Sequence, residues 1–132
     1  MSNSLHRPNS QTQLCSICFN FAVGDLCPIC ADTSRDHQII TVVEKPHDVM
    51  AIERMGIHNG VYHVLHGVIS PINGIGPNDI RIQELVRRVE KGNVVEVIIA
   101  TSPGLESDAT AIFIQRELRA KSIKLTRLAR NF

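Results

Sequence analysis

Four cysteines stand close together near the start of the chain and are its only cysteines: Cys15, Cys18, Cys27 and Cys30. Their spacing is C-x2-C-x8-C-x2-C. Each C-x2-C pair folds into a tight turn that directs two sulfurs to one point, and two pairs complete the tetrahedron of a closed zinc site. Because four thiolates leave no open position for a reacting water, the pattern predicts a structural zinc ion.

Disulfides and a redox dithiol are the competing interpretations of these cysteines. We expect no secretory signal in this chain, and the residues after the cysteines are apolar enough to fold without disulfides. A redox motif explains one C-x2-C pair but not two. Zinc binding is therefore favoured, and it would contribute about 10–16 kcal/mol of folding free energy to a segment too short to fold alone.

The acidic residues near two predicted strand ends are the second candidate site. Glu44 and Asp48 follow the first strand of the predicted sheet, and Glu106 and Asp108 follow the third. Carboxylates meeting at one sheet edge suit Mg²⁺, which prefers oxygen ligands. Asp48, Ser107 and Asp108 are also ordinary residues for the first turn of a helix, so both interpretations stay open. His47, His63 and His66 flank strand ends, and we interpret them as structural or partner-facing.

Composition places the chain among ordinary globular proteins. Of its 132 residues, 43% are hydrophobic and 20% are charged, which is typical of one folded domain with a small appendage. Fourteen basic residues face 13 acidic ones, a net charge of +1, so bulk charge does not indicate nucleic-acid binding. No apolar run is long enough to cross a bilayer.

Basic residues are nevertheless concentrated near the C-terminal end, with Glu117 as the one acid among them: Arg116, Arg119, Lys121, Lys124, Arg127 and Arg130. A solvated helix face and a phosphate-contacting patch are the two interpretations of this cluster.

The residues that must position these groups fall into four segments. We expect a disordered, Ser- and Asn-rich segment at 1–14, a four-cysteine zinc element at 15–36, an α/β domain at 37–130 and a tail at 131–132. In the α/β domain, strands are predicted at 39–43, 61–65, 94–100 and 123–128. Helices are predicted at 46–55, ended by Gly56, from a cap at Asp79 to about 91, and at 107–119. This order predicts a mostly parallel sheet with helices on both faces.

Several runs of this sequence together resemble the bacterial recombination mediator family RecR: the cysteine segment, Val42–Asp48, Tyr62–Gly67 through Pro77, and Ala100–Pro103 through Ala111. The resemblance covers nearly all of residues 14–130. It implies a zinc element followed by a Toprim domain, the α/β module shared with topoisomerases and primases. It also implies a cytoplasmic, nucleoid-associated protein that binds single- and double-stranded DNA. Such a protein would help a RecO-type partner, and RecF in some cases, load recombinase at gaps.

The same resemblance argues against catalysis. Catalytic Toprim domains carry a Glu after the first strand and an Asp-x-Asp followed by a Glu after the third. The matching positions here are Glu44, Ser102, Gly104 and Glu106, so two carboxylates are missing. We therefore expect no enzyme activity, and we interpret Glu44 and Asp48 as partner or DNA contacts whose charge reversal leaves the fold intact.

Two flanking segments of RecR-like chains are not found in this sequence, namely an N-terminal helix-hairpin-helix and a C-terminal helical tail. We expect a partial chain that lacks contacts with which the family closes its ring-like homo-oligomer. We also expect its DNA binding through the basic C-terminal residues to be weak and salt-sensitive. Two other functions stay under consideration. One is a divergent Toprim nuclease or primase-like enzyme, and the other is a zinc-ribbon protein-interaction module.

Overall fold

The structure, a computed structural model, describes residues 12–128. The strands are β1 (Gln13–Leu14), β2 (Phe21–Ala22), β3 (Asp36–Val43), β4 (Gly60–Val64), β5 (Glu96–Ile99) and β6 (Lys124–Arg127). The helices are α1 (Pro28–Ala31), α2 (Pro46–Met55), α3 (Ile82–Lys91) and α4 (Leu105–Leu118), with a 3-10 turn at Pro77–Asp79. Within these residues, no helix is both long and apolar enough to cross a membrane.

Strands β3 to β6 form one parallel sheet in the order β4-β3-β5-β6. Strand β3 lies in the interior of the sheet, where Ile40 pairs with Val61 of β4 on one side and Val97 of β5 on the other. Its run of β-branched residues suits a strand that is covered on both faces. The predicted parallel sheet is confirmed.

The two faces of the sheet bury separate apolar clusters. Helices α3 and α4 pack on one face, where Leu85 and Ile114 meet Ile40 and are fully buried. Helix α2 packs on the opposite face through Val49 and Ile52. Helices therefore cover both faces, as the sequence predicts, and helix α2 has the predicted bounds. Gly56 ends it with a left-handed φ of 65°, which glycine adopts at little cost.

The four-cysteine element covers one edge of the sheet. Strands β1 and β2 form an antiparallel hairpin, and helix α1 follows it. The N–H of Val64 in β4 donates to the carbonyl of Cys18 at 2.8 Å. Strand β4 would otherwise present an unpaired edge, so the zinc element both folds against the sheet and closes that edge.

Two expectations differ from the structure. Gln13 and Leu14, placed in the disordered segment by composition, pair with β2, because the hairpin begins two residues before the first cysteine. Asp79 does not cap helix α3. Its carboxylate accepts from the Gly76 N–H at 2.8 Å and closes the 3-10 turn that Pro77 starts, and α3 begins only at Ile82. The rest of the expected disordered segment, residues 1–11, lies outside the described residues, as do Arg130 and the predicted tail at 131–132.

Candidate functional site

The four cysteine sulfurs converge on one point. They all lie within 4.8 Å of one another, and all four residues are buried. The sulfurs of Cys18 and Cys27 are 3.6 Å apart. Two sulfurs on a tetrahedral zinc ion lie about 3.8 Å apart, since each Zn–S bond is about 2.3 Å. The spacing fits a shared ion, and the cysteines are free thiols rather than disulfides.

Backbone groups prepare these sulfurs as ligands. The N–H of Asn20 donates to the sulfur of Cys18 at 3.4 Å, and the N–H of Cys30 donates to that of Cys27 at 3.4 Å. Contact with the Cys30 thiol, helped by the Asn20 N–H, lowers the pKa of Cys18 to about 5 although burial opposes this shift. Cys18 is therefore ionised at neutral pH, as a zinc ligand must be. The residues form a closed structural zinc site.

A joint connects the zinc element to the sheet, and we define it by Phe19, His63, His66 and Arg81. The ring of His66 contacts the Phe19 carbonyl, with Nε2 at 2.6 Å from the oxygen. Phe19 also packs edge-on against His63, and the Arg81 guanidinium lies 4.7 Å from its ring centre. Phe19 and His66 both have left-handed backbones, at φ of 67° and 61°. Two such residues in contact indicate a joint held in place by its surroundings.

Arg88 and His63 form a buried polar contact behind this joint. The Arg88 guanidinium donates to the Tyr62 carbonyl at 2.7 Å and to His63 Nδ1 at 3.4 Å. His63 Nε2 therefore carries the ring proton and donates to the Arg81 carbonyl at 2.8 Å. Burial lowers the pKa of His63 to about 3, so its ring is neutral at physiological pH. His63 and His66 are structural, in agreement with the sequence interpretation.

At the carboxyl edge of the sheet, Glu44 and Asp48 are 6% and 5% exposed. The Ser102 N–H donates to Glu44 at 3.2 Å, and the Lys45 N–H donates to Asp48 at 3.1 Å at the start of α2. Reversing either charge would bury an unmatched cation beside backbone N–H groups. The structure therefore leads us to expect that charge reversal disturbs the fold, contrary to the expectation from sequence, while a partner or DNA role for these two residues stays a prediction.

The acidic residues after β5 interact with side chains away from Glu44 and Asp48. Glu106 is exposed and accepts a hydrogen bond from the Ser70 hydroxyl, in the loop that follows β4. Asp108 pairs with Arg127 at 2.7 Å. Among residues 12–128, the cysteines are the one group of three or more His, Cys, Asp or Glu whose ligand atoms converge closely enough to hold a metal ion.

Family comparisons match both parts of this architecture. Residues 38–129 match the Toprim domain, and residues 12–32 match the four-cysteine zinc finger domain of RecR. The chain belongs to the RecR family.

Curated members of the RecR family are similar over almost the whole chain. The Recombination protein RecR of Roseiflexus sp. (strain RS-1) is 50% identical over 130 residues, which is 98% of this chain and 63% of that protein. The Recombination protein RecR of Dehalococcoides mccartyi is 48% identical over 130 residues, 98% of this chain and 64% of that protein. The chain thus spans somewhat less than two thirds of the length of these relatives.

The basic residues that the sequence concentrates near its C-terminal end are divided by the fold. Arg116 and Arg119 lie at the end of α4, and Lys121 and Lys124 follow them to the start of β6. Arg127 lies at the other end of β6, where it also donates to Thr101 at 3.2 Å. Lys121 is paired with Glu90 at 2.8 Å. Within residues 12–128, Arg116, Arg119 and Lys124 are therefore the exposed members of this set without a side-chain ion pair.

Residue patterns missed the joint and the role of Arg88. In the sequence, Phe19 is a single apolar residue in a cysteine loop. The helical pattern around Arg88 predicts a solvent-exposed side chain. Their roles arise because the zinc element docks beside α3, a contact between distant segments that local periodicity does not report. The sequence does place His63 and His66 on either side of the end of a buried strand, and that placement is a signal for the joint.

Proposed function

We propose that this chain forms the zinc-finger and Toprim core of a non-catalytic DNA-repair protein that acts in recombination. It binds single- and double-stranded DNA and a RecO-type partner, with RecF as a second partner. It helps to load recombinase at gaps in DNA. It acts in the cytoplasm, in association with the nucleoid. Both relatives are named Recombination protein RecR, which supports this role. Exposed Arg116, Arg119 and Lys124 supply one candidate DNA contact.

The loop after β5 is the observation that carries the non-catalytic part of the proposal. Catalytic Toprim domains have aspartates at the two positions that match Ser102 and Gly104 here. Gly104 has a φ of +134°, which residues with a side chain rarely adopt, so the loop has a shape that disfavours aspartate there. Glu44 already accepts from the backbone of Ser102. Too few carboxylates remain to hold magnesium for phosphoryl chemistry.

A binding experiment tests the proposed role. Gapped DNA, intact duplex and single strands are titrated with the zinc-loaded chain in gel-shift assays, alone and with a purified RecO-type protein. We expect weak binding by the chain alone and a tighter ternary complex on gapped DNA. A chain that binds neither DNA nor the RecO-type protein would favour the zinc-ribbon interaction module instead.

A second assay addresses catalysis. Supercoiled plasmid is incubated with the chain and Mg²⁺, and nicking is compared with the Glu44→Gln/Glu106→Gln variant. We expect no nicking by either protein. Magnesium-dependent nicking that disappears in the variant would overturn the non-catalytic assignment, whereas nicking equal in both would identify a contaminating nuclease.

A further inference from the structure

We propose that a groove between the zinc element and helix α3 binds the phosphate backbone of DNA. This inference rests on the proposed DNA-binding function and names the surface that carries it. Two concavities of about 260 Å³ and about 300 Å³ adjoin each other, because Ile17 and Arg88 line both of them. We call this surface the α3 groove and define it by Ser16, Ile17, Arg87, Arg88, Lys91 and Asn93.

One face of α3 supplies the positive charge of the α3 groove. Glu84, Arg87, Arg88 and Lys91 fall at i, i+3, i+4 and i+7, so they share a face of the helix. The Glu84 carboxylate accepts from Arg81 at 2.9 Å, which balances the one acid on that face. Arg87 and Lys91 are exposed, and no side-chain ion pair engages them within residues 12–128. Their charges are available to an external anion.

Arg88 fixes the floor of the α3 groove. Its bonds to the Tyr62 carbonyl and to His63 hold the guanidinium behind the joint, against strand β4. Burial lowers the pKa of Arg88, and the nearby cysteine thiolates oppose that shift by favouring its charged form. A zinc ion with four thiolates carries net negative charge, and Arg88 balances part of it. Arg87 and Lys91 are then left as the cations that face solvent, one helical turn apart.

The chemistry of the groove favours a phosphate backbone over an acidic peptide. Neutral hydrogen-bonding side chains, Ser16 and Asn93, lie beside the cations, and such a mixture is typical of sequence-independent phosphate contacts. Of the C-terminal basic residues, Lys121 and Arg127 are already engaged by Glu90 and Asp108, which leaves Arg116, Arg119 and Lys124. The α3 groove adds a concave surface and neutral hydrogen-bonding groups to its free cations. The α3 groove therefore offers the more complete site for DNA.

The test compares two double charge reversals of equal charge. Arg87→Glu/Lys91→Glu changes the α3 groove, and Arg116→Glu/Arg119→Glu changes an exposed pair on α4. Zinc content and circular dichroism establish that each variant is folded. Binding of fluorescein-labelled oligothymidylate and of a labelled duplex is measured by anisotropy over a range of salt concentrations, with oligoglutamate as a competitor.

We expect the groove variant to lose affinity about tenfold or more and to lower the single-strand salt slope by about 1.4, the contribution of two phosphate contacts. The α4 variant removes two residues of the candidate contact named under Proposed function, and it should lose less affinity than the groove variant, about threefold or less. Equal losses in both variants, a larger loss in the α4 variant, or displacement of DNA by oligoglutamate at equal charge would overturn the inference while leaving DNA binding intact. An unaltered chain that binds no DNA would instead overturn the proposed function. If the reversals prevent folding, Arg87→Gln/Lys91→Gln provides the same comparison with a smaller expected loss.

Discussion

The zinc element and the Toprim sheet bury different kinds of side chain. In the zinc element, the buried side chains are the four cysteines and Ala22, with Leu26 and Ile29 only partly covered. In the sheet, long aliphatic side chains such as Ile40, Leu85 and Ile114 are completely buried. The first region is held by bonds to an ion, and the second by removal of apolar surface from water. Regions of one small chain can thus depend on unrelated sources of stability.

Removing the metal should have the largest effect, and that effect should be confined to the zinc element. Chelation, or Cys18→Ser, is expected to unfold residues 12–31, because the ion supplies about 10–16 kcal/mol to a segment with no apolar core. Hydrogen exchange followed by mass spectrometry should show lost protection there and retained protection in β3, β5 and β6. Ser16→Ala, an exposed neighbour, is the matched control. Loss of protection across the whole chain would contradict the independence of the two regions.

A cavity in the core of the sheet should lower the stability of the sheet and leave zinc binding unchanged. Leu85→Ala removes a fully buried side chain and is expected to cost about 2–5 kcal/mol of unfolding free energy, measured by denaturant titration. Zinc content should stay at one ion per chain. Ile72→Ala serves as the control, since this side chain is 94% exposed and its loss should change stability by about 0.5 kcal/mol or less. Zinc loss in the Leu85 variant would mean that the sheet is needed to form the metal site.

His63 should make the joint between the regions sensitive to acid. Its pKa is about 3 in the folded chain and about 6.5 when unfolded, so the unfolded state binds an additional proton between these values. Stability is fully present above about pH 6.5 and falls as the pH drops toward 3. Between pH 7 and pH 5, His63 should account for about 2 kcal/mol of lost stability.

The matched variant is His63→Gln, which cannot titrate. The unfolding free energy of both proteins is measured at pH 7 and pH 5, and the difference between the two losses isolates His63 from zinc release, which both proteins share. Identical losses in the two proteins would show that His63 does not contribute.

The smallest expected effect concerns the polar contact that fastens the linker after the zinc element. Arg35 bonds to the Glu53 carboxylate and to the Gly60 carbonyl, and the buried Tyr62 hydroxyl donates to the same carboxylate. Tyr62→Phe leaves the ion pair intact and is expected to cost about 1 kcal/mol in denaturant titrations. In the Glu53→Gln background the additional cost should be smaller, and an unchanged cost would indicate that the hydroxyl acts through packing alone.

Much of this architecture could be predicted because its causes are local. The cysteine spacing alone identifies the metal site, and the β-branched run that became β3 and the Pro46 to Gly56 helix follow from short-range rules. The parallel order of the strands follows from their alternation with helices.

The remaining features depend on contacts between distant segments. The burial of Glu44 is decided by the loop after β5, which supplies the N–H of Ser102. The direction of β6 relative to α4 separates the basic residues and places Arg127 beside Asp108. Asp79 accepts from the Gly76 N–H in a turn that precedes the helix, and so it does not cap the helix. Residue type and spacing do not contain this information, since each side chain has several favourable local partners.

The docking of the Cys18 carbonyl on Val64 gives the metal a second consequence. Strand β4 is the flank of the sheet that faces the zinc element, and once the ion leaves, its free amides can recruit a strand from a neighbouring molecule. At the opposite flank, Lys124 and Arg127 place charges that discourage such recruitment. Loss of zinc should therefore first cause self-association of the chain along the β4 edge of the sheet.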